Sequence, residues 1–251
     1  RWSRMSLFRG RFRMGRRAPG RSWLSVMWYD FGCLVCELYL RLLHRFRMEG
    51  TDRVPESGAL ILVSNHQSYL DPVINGVFAC RRPYSAIATR GLTKFKPFGW
   101  LLKSWDTVFV SASAGDKGAL KAAISQLEQG RTVLIYPEGS RTDDGFVKGF
   151  QNGLLLVLRR SRATVLPVGI DGAYEVWPRS RKFPRLSGRI ASVCGEPIPA
   201  EELLGLDGPE ALRRLRGEID TLRLRARRIL REQTGGRWPP AGPNDGPSPD
   251  A

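Results

Sequence analysis

Ala59, Leu60, Ile61, Leu62 and Val63 form an apolar run that breaks off at Ser64-Asn65-His66. The run is too short for a helix and rich in β-favouring side chains, so it predicts a buried strand. Thr132, Val133, Leu134 and Ile135 repeat the pattern and again end on a polar loop. Further short strands are predicted over residues 84–88, 107–110, 132–136, 164–170 and 189–194. Helical periodicity falls between them, over 116–129, which opens on Asp116 and stops at Gly130, and over 152–160. A longer helix is predicted over 209–232, with Leu212, Leu215, Ile219, Leu222, Ile229 and Leu230 near one face and its arginines on the solvated side. The alternation predicts a single α/β domain, a mixed, mainly parallel sheet flanked by helices. Beyond Gly235 the sequence is rich in proline and glycine, and residues 233–251 are expected to be a disordered tail. There is no internal repeat.

Residues 23–43 carry a different pattern, dense in Trp, Leu, Val and Phe but interrupted by Asp30, Glu37 and Arg41. A spanning helix needs about 20 mostly apolar residues. These interruptions predict instead a helix over 22–47 lying in the membrane interface, with Trp23, Trp28 and Tyr29 at headgroup level. A helix packed on the domain core is the competing expectation.

Charge sharpens this picture. The chain has 40 Lys+Arg against 24 Asp+Glu, a formal charge of +16, which calls for an anionic partner. Residues 1–21 form a leader with eight arginines and no acid, expected to be flexible and to face anionic lipid on the cytoplasmic side. A transit peptide has the same bias. Nucleic acid is a rival partner, but no zinc finger, homeodomain-like helix or RNP strand is visible, so none is expected. Cys33 and Cys36 lie inside the apolar helix with no second pair at zinc spacing; like Cys80 and Cys194, they are expected to be buried thiols. His44, in an arginine-rich segment, is expected to be solvated or interfacial.

The candidate chemistry sits on the two loops. His66 follows the first strand, and Asp71 precedes Pro72, which places Asp71 at the N-cap of a helix. On one continuous helix the two side chains would point about 140° apart. A loop folding back would bring carboxylate to imidazole, the arrangement of a general base. The second loop, Tyr136-Pro137-Glu138-Gly139-Ser140-Arg141-Thr142, offers a glycine for close approach, hydroxyls on Ser140 and Thr142, and a guanidinium suited to phosphate. Ligands of open α/β sheets bind beyond the carboxyl ends of strands, where both loops lie. No Gly-x-Ser-x-Gly elbow is present, which argues against a serine hydrolase.

These residues resemble the lysophospholipid acyltransferase family. Asn65 to Asp71 looks like its His-x4-Asp motif, and Pro137-Glu138-Gly139-Ser140-Arg141 like its Glu-Gly-Thr/Ser-Arg block. Val165-Leu166-Pro167-Val168 looks like its Val/Leu-Pro strand, and Arg90 with Pro97-Phe98-Gly99 like its basic-to-Pro-x-Gly pattern. The likeness runs from about residue 48 to 198, within an expected acyltransferase domain of residues 48–232. It implies that His66 takes the proton of the acceptor hydroxyl and Asp71 holds its imidazole. It further implies that Arg90, Glu138, Gly139, Ser140 and Arg141 belong to the site of a glycerol-phosphate acceptor. The donor would be acyl-CoA or acyl-carrier protein, with no cofactor and no metal, and the partners membrane phospholipid and lysophospholipid. The setting it implies is the cytoplasmic face of a membrane, the bacterial inner membrane. Two departures leave other lysolipids, glycerol-3-phosphate or a lyso-aminolipid open as acceptors. Ser111-Ala112-Ser113 stands where many members carry arginine, and Phe150-Gln151-Asn152-Gly153 where many show Phe-Lys-x-Gly. Lys148 and Arg131 are candidates to replace the missing cations.

Overall fold

A computed structural model describes residues 18–79, 82–89, 96, 100, 103–105, 107–110 and 115–249. Arg90, Cys80, Pro97 to Gly99, Ser111 to Ser113 and most of the basic leader lie outside the described residues. The elements in order are α1 (Trp23–His44), β1 (Arg47–Glu49), β2 (Leu60–Ser64), α2 (Asp71–Phe78), β3 (Tyr84–Ser85), β4 (Ile87–Thr89) and β5 (Val108–Val110). There follow α3 (Gly115–Glu128), β6 (Thr132–Ile135), α4 (Gly153–Ser161), β7 (Thr164–Asp171), α5 (Ala173–Val176), β8 (Ala191–Cys194), α6 (Ala200–Leu204) and α7 (Gly208–Thr234).

Six strands form one sheet in the order β1-β8-β7-β2-β6-β3. Every neighbouring pair is parallel except β7 with β8, so the expected mixed, mainly parallel sheet is what forms. β4 and β5 make a separate parallel pair. The uninterrupted apolar reading of β2 follows from its place near the middle, where helices cover both faces. Leu60 and Leu62 pack with Leu40, Phe46, Ile74 and Phe78 on the side of α1 and α2. Ile61 and Val63 face Leu127, Leu158, Leu215 and Ile219 from α3, α4 and α7. Gly169 lets α7 lie directly against β7: a Cβ there would sit 2.2 Å from the Arg223 backbone nitrogen.

Three expectations are corrected. The tail is not loose, because residues 238–248 fold back on the sheet and α7. Trp238 Nε1 donates to Arg189 O at 2.9 Å, and Ser248 donates to Asp220 through both its backbone N–H and its hydroxyl. The arginines of α7 are not all solvated either. Arg223 is fully buried and donates to Asp220, Asn244 O and Gly246 O; Arg216 donates to Val147 O and Pro249 O. A guanidinium carries donors in a fixed fork, so it can satisfy the carbonyls of a segment that has no ladder of its own. Finally, His44 is buried, with its ring edge-on to Tyr39 and Nε2 3.3 Å from the Tyr39 hydroxyl, and burial lowers its pKa.

α1 buries Val26, Tyr29, Cys33 and Leu40 and leaves Trp23, Leu24, Met27, Phe31, Leu38 and Leu42 exposed. Glu37 is buried and accepts from Arg41 Nε at 2.7 Å. No helix of the described residues is long and apolar enough to cross a membrane.

Candidate active site

β2 and β6 are parallel neighbours in register from Leu60↔Thr132 to Val63↔Ile135, so the loops leaving Ser64 and Ile135 emerge side by side. Backbone and carboxylate then stitch them together. Thr142 N–H donates to His66 O at 2.8 Å. Glu138 Oε1 accepts from His66 N–H at 2.7 Å while Oε2 accepts from Lys148 N–H at 3.0 Å. Asn65 anchors the first loop from the other side: its amide both donates to Ile170 O and accepts from Ile170 N–H, as a strand residue would.

The His66 loop folds back as its spacing predicts. His66 Nδ1 lies 2.8 Å from Asp71 Oδ2, and the same oxygen accepts from the Gln67 and Ser68 backbone N–H groups at 2.6 and 2.7 Å. Asp71 is the first residue of α2 and does not cap it; Leu70 holds the cap position, and the carboxylate turns toward the loop. Burial raises the Asp71 pKa, and the hydrogen bonds from His66, Ser68 and Gln67 oppose that rise. Two backbone donors on Oδ2 require a lone pair there, so Nδ1–H donates and Nε2 is left with a free lone pair that can accept a proton. The Tyr136 ring stacks on His66 with centroids 4.0 Å apart and planes 13° apart, which fixes the imidazole plane.

Arg141 lies beside this pair. Its guanidinium carbon is 3.4 Å from the centre of the Tyr69 ring, which belongs to the His66 loop. Its Nη1 is buried without a hydrogen-bond partner among the described residues. Lys148 Nζ donates to Arg141 O at 2.7 Å and to Ser140 Oγ at 3.2 Å, so a second cation joins the loop. Arg131, the other candidate replacement, points elsewhere: it donates to Pro19 O and Gln126 Oε1 at the opposite end of β6. Thr142 turns its hydroxyl inward to Asp144 and offers nothing to a ligand. Gly139 has φ +72°, so the backbone of the turn requires glycine; the nearest atoms to a Cβ there belong to the end of the flexible Gln151 side chain, which can move aside.

Burial pushes the Glu138 carboxyl up to about 7, against the pull of the Lys148 and His66 backbone donors. With its folded value above the ordinary one, Glu138 adds stability that is fully present below about pH 4.5 and lost as pH rises through 7. Glu138→Gln cannot titrate. The stability difference between wild type and variant is therefore expected to change by on the order of 3 kcal/mol between pH 4 and 8. Urea unfolding of both proteins across that range checks this, and parallel curves would refute it.

Residues 45–171, half of the chain and including both loops, match the sequence model of the family described as Acyltransferase. The chain belongs to the acyltransferase family. A chloroplastic 1-acyl-sn-glycerol-3-phosphate acyltransferase of Arabidopsis thaliana is 24% identical over 179 residues, 70% of this chain and 46% of that protein. A 1-acyl-sn-glycerol-3-phosphate acyltransferase of Pseudomonas aeruginosa is 32% identical over 178 residues, 68% of this chain and 64% of that protein. The chain thus matches between about half and two thirds of the length of these relatives. The crystal structure of the 1-acyl-sn-glycerophosphate acyltransferase of Thermotoga maritima superposes with a TM-score of 0.66 at 26% identity, over 86% of this chain and 81% of that one.

Within this acyltransferase fold, the structure brings His66, Asp71, Glu138, Gly139, Ser140 and Arg141 together, while Arg90 lies outside the described residues. Sequence reasoning missed Asn65, Tyr69 and Tyr136 as parts of the site. The two tyrosines flank the motif residues directly, and an aromatic next to a candidate base or guanidinium is the signal that points to them.

Proposed function

We propose that this chain is an O-acyltransferase that moves a fatty acyl group from acyl-CoA or acyl-carrier protein to a lysophospholipid, with 1-acylglycerol-3-phosphate as acceptor and phosphatidic acid as product. The observation that carries the reading is the His66–Asp71 pair next to Arg141, joined through loops that share the Thr142-to-His66 and Glu138-to-His66 bonds. The likeness to 1-acyl-sn-glycerol-3-phosphate acyltransferases supports the same acceptor.

His66 Nε2 takes the proton of the acceptor hydroxyl as its oxygen attacks the thioester carbonyl. The tetrahedral adduct collapses with cleavage of the carbon–sulfur bond, and the departing thiolate takes the proton back from the imidazolium. Asp71 steadies that imidazolium, a role worth roughly 10²-fold or more. Arg141 and Lys148 face the acceptor's phosphate; the buried, unpartnered Nη1 of Arg141 is a donor suited to a phosphate oxygen. Glu138 acts through the two loops it joins, and Arg90 completes the phosphate site as the family resemblance implies.

The exposed apolar side of α1 supports a helix lying in the interface, with Trp23, Leu24, Met27 and Phe31 among the acyl chains at the cytoplasmic face of a bacterial inner membrane. Incubation with labelled acyl-CoA and a panel of lysolipids tests the acceptor. Arg141→Ala is expected to raise KM for lysophosphatidic acid at least about tenfold and to spare phosphate-free acceptors. Equal loss on every acceptor would remove the phosphate role, and no turnover by wild type on any lysolipid would remove the enzyme reading.

A further inference from the structure

A second cationic feature lies on the same edge of the sheet as His66. β8 runs antiparallel to β7 with Ala191 opposite Asp171, and β1 pairs with β8 with Arg47 opposite Ala191. The residues just before β1 and β8 therefore sit at the carboxyl end of β7, where β2 also releases the catalytic loop. Two to three strand spacings separate them from His66, roughly 10–15 Å.

A cleft of about 520 Å³ opens there, lined by Arg45, Arg185 and Arg189 together with Leu42, Leu43 and Leu186. None of the three guanidiniums lies within 4 Å of a carboxylate among the described residues. Glu175, the carboxylate that feels Arg185, is already engaged by Arg227 at 3.3 Å. Partial burial, then repulsion from Arg45, Arg237 and Arg47, holds Arg189 below the ordinary arginine range. This contrasts with α7, where Arg223 and Arg227 meet carboxylates and carbonyls. The cleft is also built rather than incidental. Arg45 ends α1 in the left-handed conformation at φ 44°, and the Trp238 indole donates to Arg189 O.

We infer that this cleft holds the phosphate headgroup of an anionic membrane phospholipid that is not the acyl acceptor. The apolar part of the lining decides for a lipid. Leu42 and Leu186 are 70% and 81% exposed, and Leu42 continues the exposed apolar side of α1 one turn on from Leu38. Guanidiniums side by side with exposed leucines match a headgroup whose chains run into the bilayer. A phosphate held there leaves the glycerol hydroxyl, only a few bonds away, short of His66. The lipid therefore docks the enzyme with its catalytic edge on the bilayer. This rests on the interfacial reading of α1.

Sedimentation with vesicles of phosphatidylcholine, with and without phosphatidylglycerol, tests it. Wild type is expected to prefer the anionic vesicles. A double variant, Arg45→Asn (asparagine suits the left-handed backbone) with Arg189→Gln, is expected to lose about tenfold or more of that preference. It should keep wild-type turnover on detergent-dispersed acceptor. Arg159→Gln with Arg160→Gln, which removes the same charge from exposed positions on α4, should keep the preference. Equal losses in both double variants would mean diffuse attraction and overturn the site, as would an unchanged preference in the cleft variant or loss of its detergent turnover. Wild type that binds neither vesicle would sink the interfacial reading along with the cleft. Acyl transfer in detergent, measured separately, stands or falls independently.

Discussion

The His66→Ala protein is expected to fold normally and to lose acyl transfer by about 10³-fold or more. The proposed mechanism makes the imidazole the site's base, and its removal leaves the local scaffold in place. Asp71 Oδ2 keeps its two backbone donors from Gln67 and Ser68, and the loop keeps its bonds from Thr142 N–H and to Glu138. Asp71→Asn should be milder, near 10²-fold, for a geometric reason. All three donors converge on one oxygen, so an asparagine places its carbonyl there and still accepts from His66 Nδ1. The ring tautomer survives and only the charge opposite the imidazolium is lost. The amide nitrogen then occupies the place of Oδ1, which is buried with no partner among the described residues, so this variant loses stability where His66→Ala does not. Turnover with labelled acyl-CoA and lysophosphatidic acid, beside thermal unfolding of each variant, separates the two effects. A histidine variant with wild-type turnover would end the general-base reading.

Much of this was legible because the informative segments are local. The apolar runs of β2 and β6 end on polar loops, and two parallel strands in register must deliver such loops to the same place. The His66–Asp71 contact likewise needs only one five-residue fold-back. What escaped depends on partners far along the chain. Asn65 is an ordinary strand-end polar residue until Ile170, 105 positions away, supplies its matching N–H and C=O. Arg216, Arg223 and Arg227 of α7 are arginines that periodicity assigns to solvent. They are buried because a proline- and glycine-rich tail, lacking any pattern of its own, brings its carbonyls to them. The order of that tail resides in Arg216, Arg223 and Arg227, not in its composition. Asp71 was placed correctly at the start of α2, but the capping rule could not show that nearer donors would draw its carboxylate into the loop.

The largest stability effect is expected at one of those arginines. Arg227 bonds Asp171 through Nε at 2.9 Å and Nη2 at 3.2 Å, Asp245 and Asn244 through Nη1, and Glu175 through Nη2. Asp171, at the end of β7, is fully buried; burial raises its pKa and Arg227 counters that rise. Arg227→Met keeps much of the volume but leaves a buried carboxylate unpaired, which costs about 3–5 kcal/mol. The deficit should narrow as pH falls, because protonating Asp171 removes the uncompensated charge. Asp171→Asn on the Arg227→Met background should recover part of it for the same reason. Urea unfolding of the four members of this cycle gives the coupling, and a deficit independent of pH would assign the loss to packing alone. The damage should also reach the chemistry. Ile170, the neighbour of Asp171 in β7, holds Asn65 next to His66 through both its N–H and its C=O, so the end of β7 braces the loop that aims the imidazole. Arg227→Met is therefore expected to lower turnover at temperatures where it is still fully folded, although Arg227 touches neither substrate nor His66.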